Sequence, residues 1–163
     1  MMQRVWASAI AGVAGGIVFG MLMGMMGMLP RIAGMVGSSS PVVGFGVHLL
    51  ISAMIGAGFG VALGSVASTA ARSLGAGAAY GMVWWVLGPL TIMPLMMGMG
   101  FGTQWTGSAM SSALPSLMGH VLYGLITGFV YYRLRARGAL SASVHSAWPA
   151  RSSNTSASPS AIQ

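Results

Sequence analysis

The chain has 163 residues with seven Arg, no Lys and no Asp or Glu, giving a formal charge of +7. Charged residues make up 4% of it and the mean hydropathy is +0.80, against roughly 25% charged residues in soluble domains. An ordinary soluble fold is excluded. So are the paired carboxylates of acid/base enzymes and the oxygen cages that hold Na⁺ or Ca²⁺. With no Cys there is no disulfide, thiolate metal site or covalently attached c-type haem.

The length suits one domain. Four apolar spans follow in chain order, at about residues 5–29, 42–64, 76–98 and 115–132. Each approaches or exceeds the ~20 residues that cross ~30 Å of hydrocarbon as a helix. Lipid cannot satisfy open strand edges, so helices are the expected elements. The first span is too long for the 7–15-residue core of a cleaved signal peptide, and its small residues Ala7, Ser8 and Ala9 precede the apolar core instead of following it. It is expected to stay in place and to stop at Pro30-Arg31.

Arg placement sets an expected orientation. Arg4, Arg72, Arg133, Arg135, Arg137 and Arg151 fall on one side of a four-span chain, and Arg31 falls on the other. The positive-inside rule then puts both termini in the cytoplasm of a bacterial inner membrane. The basic run is a topological feature with no phosphate-binding face, so nucleic acid is not an expected partner. The expected partners are the bilayer, a second copy of the chain or another membrane protein. Residues 1–137 make up the transmembrane domain. Residues 138–163, rich in Ser and Ala, are expected to form a disordered cytoplasmic tail.

Small residues recur every four positions in three of the spans. The first carries Ser8, Gly12, Gly16, Gly20 and Gly24. The second carries Gly44, His48, Ser52, Gly56, Gly60 and Gly64. The fourth carries Ser116, His120, Gly124 and Gly128. Such ladders let helix backbones approach closely in lipid. Each four-residue step turns about 40° around a helix, so the ladder from Gly44 to Gly64 turns by about 200°. That predicts a second span packed against two neighbours and central in the bundle.

The second and fourth ladders align residue for residue: Gly44, His48, Ser52 and Gly56 against Ser116, His120, Gly124 and Gly128. The first and third spans both end in Met-rich, Gly-broken stretches, GMLMGMMGMLP and PLTIMPLMMGMG. The expected fold is therefore an all-α integral membrane bundle of two parallel-repeated helical hairpins, with His48 and His120 at similar depth.

The Gly-rich first span, the GHVLYG of the fourth and the WWVLGPLTIMPLMMG of the third resemble small prokaryotic four-helix membrane proteins grouped as domains of unknown function. The resemblance covers residues 5–135. It implies fold and membrane location only.

An intramembrane imidazole is a functional-site candidate by default. The simplest role of His48 and His120 is an interhelical hydrogen bond. The alternatives are axial ligation of a haem, with the small neighbours clearing space for the ring, and a pH-linked or transport role. Thioethers joined to imidazoles suit Cu(I), which makes Met21, Met25, Met93 and Met97 candidate partners of the two His; Met is otherwise flexible packing material. Pro89 and Pro94 remove helix hydrogen bonds, and a kink is favoured over a broken helix facing a polar cavity. Catalysis lacks a nucleophile and an orienting carboxylate. The expected function is thus non-catalytic, as an accessory or scaffold unit; a haem or copper protein and a small permease or channel are the alternatives.

Overall fold

The computed structural model describes residues 2–147, and among them every regular element is helical. Helix α1 spans Met2–Met25, α2 Leu29–Gly34, α3 Pro41–Ala62 and α4 Ala70–Leu87. A π-helical turn at Gly88–Ile92 and a short α5, Met93–Met96, prolong α4, and α6 spans Gly107–Ala147. Four of the resulting segments are long and apolar enough to cross a membrane: Met2–Met25, Pro41–Ala62, Ala70–Met96 and Gly107–Gly138.

The ends of these elements follow from local chemistry. Gly27, at φ +66°, makes the left-handed turn that ends α1 and that an L-residue resists. Pro30 does not stop a helix as expected. It lies in the first turn of α2, where its missing N–H costs nothing. Thr69 caps α4 by accepting from Arg72 N at 3.3 Å. Thr106 does the same for α6 through Ala109 N at 3.4 Å, so α6 begins eight residues before Pro115 and carries that proline inside it. Helix α6 also runs through Arg133–Arg137 to Ala147, ten residues into the stretch expected to be a tail. Residues 148–163, with Arg151, lie outside the described residues.

Two antiparallel pairs are built on glycine. In the first, α1 and α3 touch backbone to backbone: a methyl group on Gly56 would lie 2.5 Å from the Ser8 carbonyl oxygen and 2.6 Å from the Gly12 Cα. Gly16 faces Ser52, and Gly60 faces Ser8 and the Arg4 carbonyl. In the second, α4 and α6 meet the same way. Gly77 abuts Gly124, Gly81 abuts the His120 carbonyl, and Gly128 abuts Ser73 with the Gly77 Cα 3.5 Å from where its methyl would be.

The helix packed on two sides is α1, not α3. Its small residues come in adjacent pairs, Ala11-Gly12 and Gly15-Gly16, which point about 100° apart on a helix. Gly12 and Gly16 face α3, while Gly15 faces the Tyr123 carbonyl and Thr127 of α6 and Phe19 lies against Gly119. The turning ladder of α3 is accommodated by α2, because Gly44 abuts the Leu29 carbonyl while its later members face α1. Gly24 has only Leu29 Cδ1 nearby, at 3.4 Å, so the first ladder ends in contact at Gly20.

Between the pairs, one half of the bundle is filled by Phe59, whose ring packs edge-on to Tyr80 and Tyr131 at 5.4 and 5.6 Å. Ala11, Phe59 and Tyr131 are fully buried there. Arg4, Arg72, Arg133, Arg135 and Arg137 cluster at the end of this half, where Arg135 Nη1 donates to the Gly64 carbonyl at 2.7 Å. Arg31, on α2, lies at the opposite end.

Gly124→Ala should lower the thermal stability of the purified protein by about 1–3 kcal/mol, the usual cost of overpacking, since its methyl must displace α4 backbone. Gly46→Ala and Gly75→Ala, where nothing lies within 4 Å, should be neutral or gain up to ~1 kcal/mol. Equal melting temperatures for all three variants in detergent would refute backbone contact as the basis of packing.

Candidate functional site

In the half opposite the Arg cluster the helices part around a chamber of about 880 Å³. Its size falls within the ~300–1,000 Å³ of small-molecule sites. Segments from all four spans and α2 line it. His48 and Ser52 come from α3, Phe19 and Met23 from α1, Gly88 and Pro89 from the π-turn, and Ser116, His120 and Tyr123 from α6. Arg31, Met99 and Gln104 also line it.

The two His thus reach one chamber, but they are held differently. His48 is buried and donates from Nε2 to the Gly16 carbonyl of α1 at 3.0 Å. That is the interhelical hydrogen bond expected of it. His120 is half-buried and donates from Nδ1 to the Ser116 carbonyl of its own helix at 2.7 Å. In the neutral ring the Nε2 lone pair is then left over. Nε2 lies beside Gly88, where a methyl group would be 3.8 Å away. Phe19 packs edge-on against both imidazoles, at 5.4 Å from His48 and 4.8 Å from His120.

Of the candidate sulfur ligands, Met93 and Met97 line the chamber with the two His. Met21 and Met25 are 61% and 85% exposed and lie outside it, while Met23, 6% exposed, takes the inward position on α1. The six-residue soft-metal set is therefore not brought together. Among the described residues no group of three His, Cys, Asp or Glu could hold a metal ion. The proposed bis-His haem geometry has Phe19 packed on both rings that would have to face the iron.

The proline-rich wall is neither a simple kink nor an unwound break. Pro94 has no N–H for the Leu90 carbonyl four residues earlier, and the Trp105 indole supplies one at 3.1 Å. The Thr91 hydroxyl donates to the Val86 carbonyl at 2.8 Å. Helical continuity through Gly88–Ile92 is kept by widening to a π-turn, a geometry found often at functional sites.

Several residues of the site carry no period in the sequence. Phe19 and Gly119 interlock between two helices, and Trp85 reaches across α4–α6 to the Ala113 carbonyl and Ser116 Oγ, both at 3.1 Å. The stripe Ser73, Gly77, Gly81 does carry the four-residue spacing, and a span read as starting at residue 76 hides its first member.

Trp105→Phe keeps an aromatic ring but leaves the buried Leu90 carbonyl without its donor. It should cost about 1–3 kcal/mol and lower the melting temperature measured in detergent; an unchanged value would show that this indole does not hold the wall.

Comparison with family models, with curated proteins and with solved structures yields no match.

Proposed function

We propose that the chain is a multi-pass protein of the bacterial inner membrane, with both termini cytoplasmic, and that it is a non-catalytic binding unit whose chamber receives a small lipid-soluble molecule. The observation that carries this reading is the chamber of about 880 Å³ into which both intramembrane His project. An intramembrane ionisable residue that faces a cavity marks a ligand or ion path by default. Its outward apolar faces, with Ile10, Val42, Leu50 and Met54 well exposed, suit lipid, a second copy or a membrane-protein partner. The small prokaryotic four-helix proteins that the first, third and fourth spans resemble are its proposed kin.

Binding is favoured over passage by the other half of the bundle. Below the chamber the space between the helices is taken by Phe59, Tyr80 and Tyr131, which leaves one open end and suits a receptor or accessory subunit better than a channel. Copper and haem are less favoured, because Met21 and Met25 lie elsewhere and Phe19 packs on both imidazoles.

The two hairpins are also proposed to be a repeat with parallel halves. Equivalent contacts support it: Gly56 lies on Ser8 and Gly12 as Gly128 lies on Ser73 and Gly77, and Gly12 lies on Ser52 as Gly77 lies on Gly124. The orientation rests on the Arg bias.

The absence of cysteine from the sequence makes single-cysteine variants a direct test. In intact cells an impermeant maleimide should label Gln104→Cys and spare Ser65→Cys; the reverse pattern would invert the topology. A small neutral methanethiosulfonate should modify Gly88→Cys in the chamber and spare Thr127→Cys in the packed half. Protection of Gly88→Cys with modification of Thr127→Cys would remove the chamber as a binding site.

A further inference from the structure

We infer that the chamber selects an uncharged aromatic molecule bearing a hydroxyl, of the phenol or hydroquinone class, and that His120 Nε2 accepts the hydrogen bond from that hydroxyl. The inference deepens the binding reading above and rests on it.

The argument is an inventory of donors and acceptors. On α6 the donors in the chamber wall are committed to backbone: Ser112 Oγ to the Ala109 carbonyl at 2.8 Å, Ser116 Oγ to the Ala113 carbonyl at 2.7 Å, and His120 Nδ1 to the Ser116 carbonyl at 2.7 Å. Across from them the Trp85 indole N–H is taken by the Ala113 carbonyl and Ser116 Oγ. On the far side the Tyr123 hydroxyl donates to the Ser52 carbonyl at 2.7 Å. The strong group left over beside Gly88 is therefore an acceptor, the Nε2 lone pair of His120. A guest that only accepts, such as a carboxylate, a phosphate or a quinone carbonyl, leaves this lone pair unpaired and has to use donors elsewhere in the lining, at Ser52, Trp84, Arg31 and Gln104. A guest that donates satisfies an acceptor that otherwise faces an apolar space.

Charge and shape narrow the class. No acidic residue exists in the chain, so a cationic donor such as an amine would enter without a counter-charge and would share the chamber with the Arg31 cation. A neutral O–H avoids both costs. The lining of Phe19, Trp84, Met23, Met93 and Met97 favours a flat ring, since thioethers and ring edges both pack well on aromatic surfaces. Gly88 leaves the approach to Nε2 open, because His120 Nε2 is the one atom a methyl group there would find within 4 Å.

The test uses the full chain in lipid nanodiscs and a matched probe pair, 1-naphthol and 1-methoxynaphthalene, titrated calorimetrically against protein-free nanodiscs. Wild type should prefer the naphthol by about three- to tenfold, the worth of one neutral hydrogen bond. His120→Phe keeps the ring and removes the acceptor, so it should bind the two probes equally. Gly88→Leu covers Nε2 and narrows the chamber, so it should weaken both. Equal affinities in wild type, or a preference retained in His120→Phe, would overturn the hydroxyl inference while leaving the chamber reading intact. Undiminished binding of both probes to Gly88→Leu would overturn the chamber reading itself. If His120→Phe does not fold, the wild-type comparison decides alone. Stoichiometric uptake of Cu(I) by wild type that excludes the naphthol would replace the hydroxyl with a soft cation and overturn the inference.

Discussion

At Gly12 and Gly56 the backbones of α1 and α3 are in direct contact, and at Gly77 and Gly124 those of α4 and α6 are too. Apolar side chains gain nothing from one another in lipid that they would not gain from acyl chains, so close backbone packing supplies a main part of the attraction, beside interhelical hydrogen bonds. The small-residue stripes fix the register of each pair, and α1 then joins the pairs through its second face at Ala11, Gly15 and Phe19. The chamber is a consequence of where the stripes stop. On α1 close contact ends at Gly20, and on α4 Gly81 is followed four residues later by Trp85. From those levels outward, large side chains separate the helices, and the space between them becomes a lined cavity.

The second constraint is how a chain without a carboxylate satisfies its polar groups. Between its helices it uses neutral donors aimed at backbone carbonyls, while the buried hydroxyls of Ser73, Thr127 and Tyr131 have no partner among the described residues. Tyr80 donates to the Ile55 carbonyl, Tyr123 to that of Ser52, Trp85 to that of Ala113, Trp105 to that of Leu90 and His48 to that of Gly16. Each carbonyl has a second lone pair that helical bonding does not use, and each donor would be costly to leave unpaired away from water. Most of these bonds join separate elements, so the same interactions that neutralise polar atoms also pin helix to helix. Arg135 extends the scheme to a charge: it binds the Gly64 carbonyl and stacks 5.8 Å from the Tyr131 ring.

Much of this arrangement is legible in the residues themselves. Spans of about 20 apolar residues have few alternatives to helix, and four-residue spacing of Gly states which face packs. The register that sets His48 against His120 is visible in Gly44, Ser52 and Gly56 against Ser116, Gly124 and Gly128. What spacing does not carry is which helix takes two neighbours. That depends on Ala11-Gly12 and Gly15-Gly16 occurring as adjacent pairs, a feature of two faces that a search along one face overlooks. Cross-helix bonds between residues distant in sequence, such as Trp105 with Leu90 or Phe19 with Gly119, follow from tertiary placement and leave no local period. Pro30 and Pro115 mislead for a related reason: one reads as the end of the first span and the other as the start of the fourth, yet Pro30 opens a helix and Pro115 is carried within one.

The difference between the two His coincides with one departure within the proposed repeat, at Gly20 and Trp85. Counting from Ser8 and Ser73, the equivalents run Gly12 with Gly77, Gly16 with Gly81, and Gly20 with Trp85. Beside Gly20 there is room for the His48 ring to lie across onto α1, where a methyl on Gly20 would meet His48 Cδ2 at 2.9 Å, and its Nε2 reaches the Gly16 carbonyl. Beside His120 the equivalent place holds an indole, which spends its own N–H on the Ala113 carbonyl and Ser116. His120 instead bonds back to the Ser116 carbonyl on its own helix, and its remaining nitrogen is left beside Gly88 in the chamber wall. One hairpin thus uses its imidazole as a structural tie, and the other holds the same side chain ready to accept a hydrogen bond. Within the proposed repeat, the pair Gly20 and Trp85 thus separates an imidazole tied to a neighbouring helix from one tied to its own.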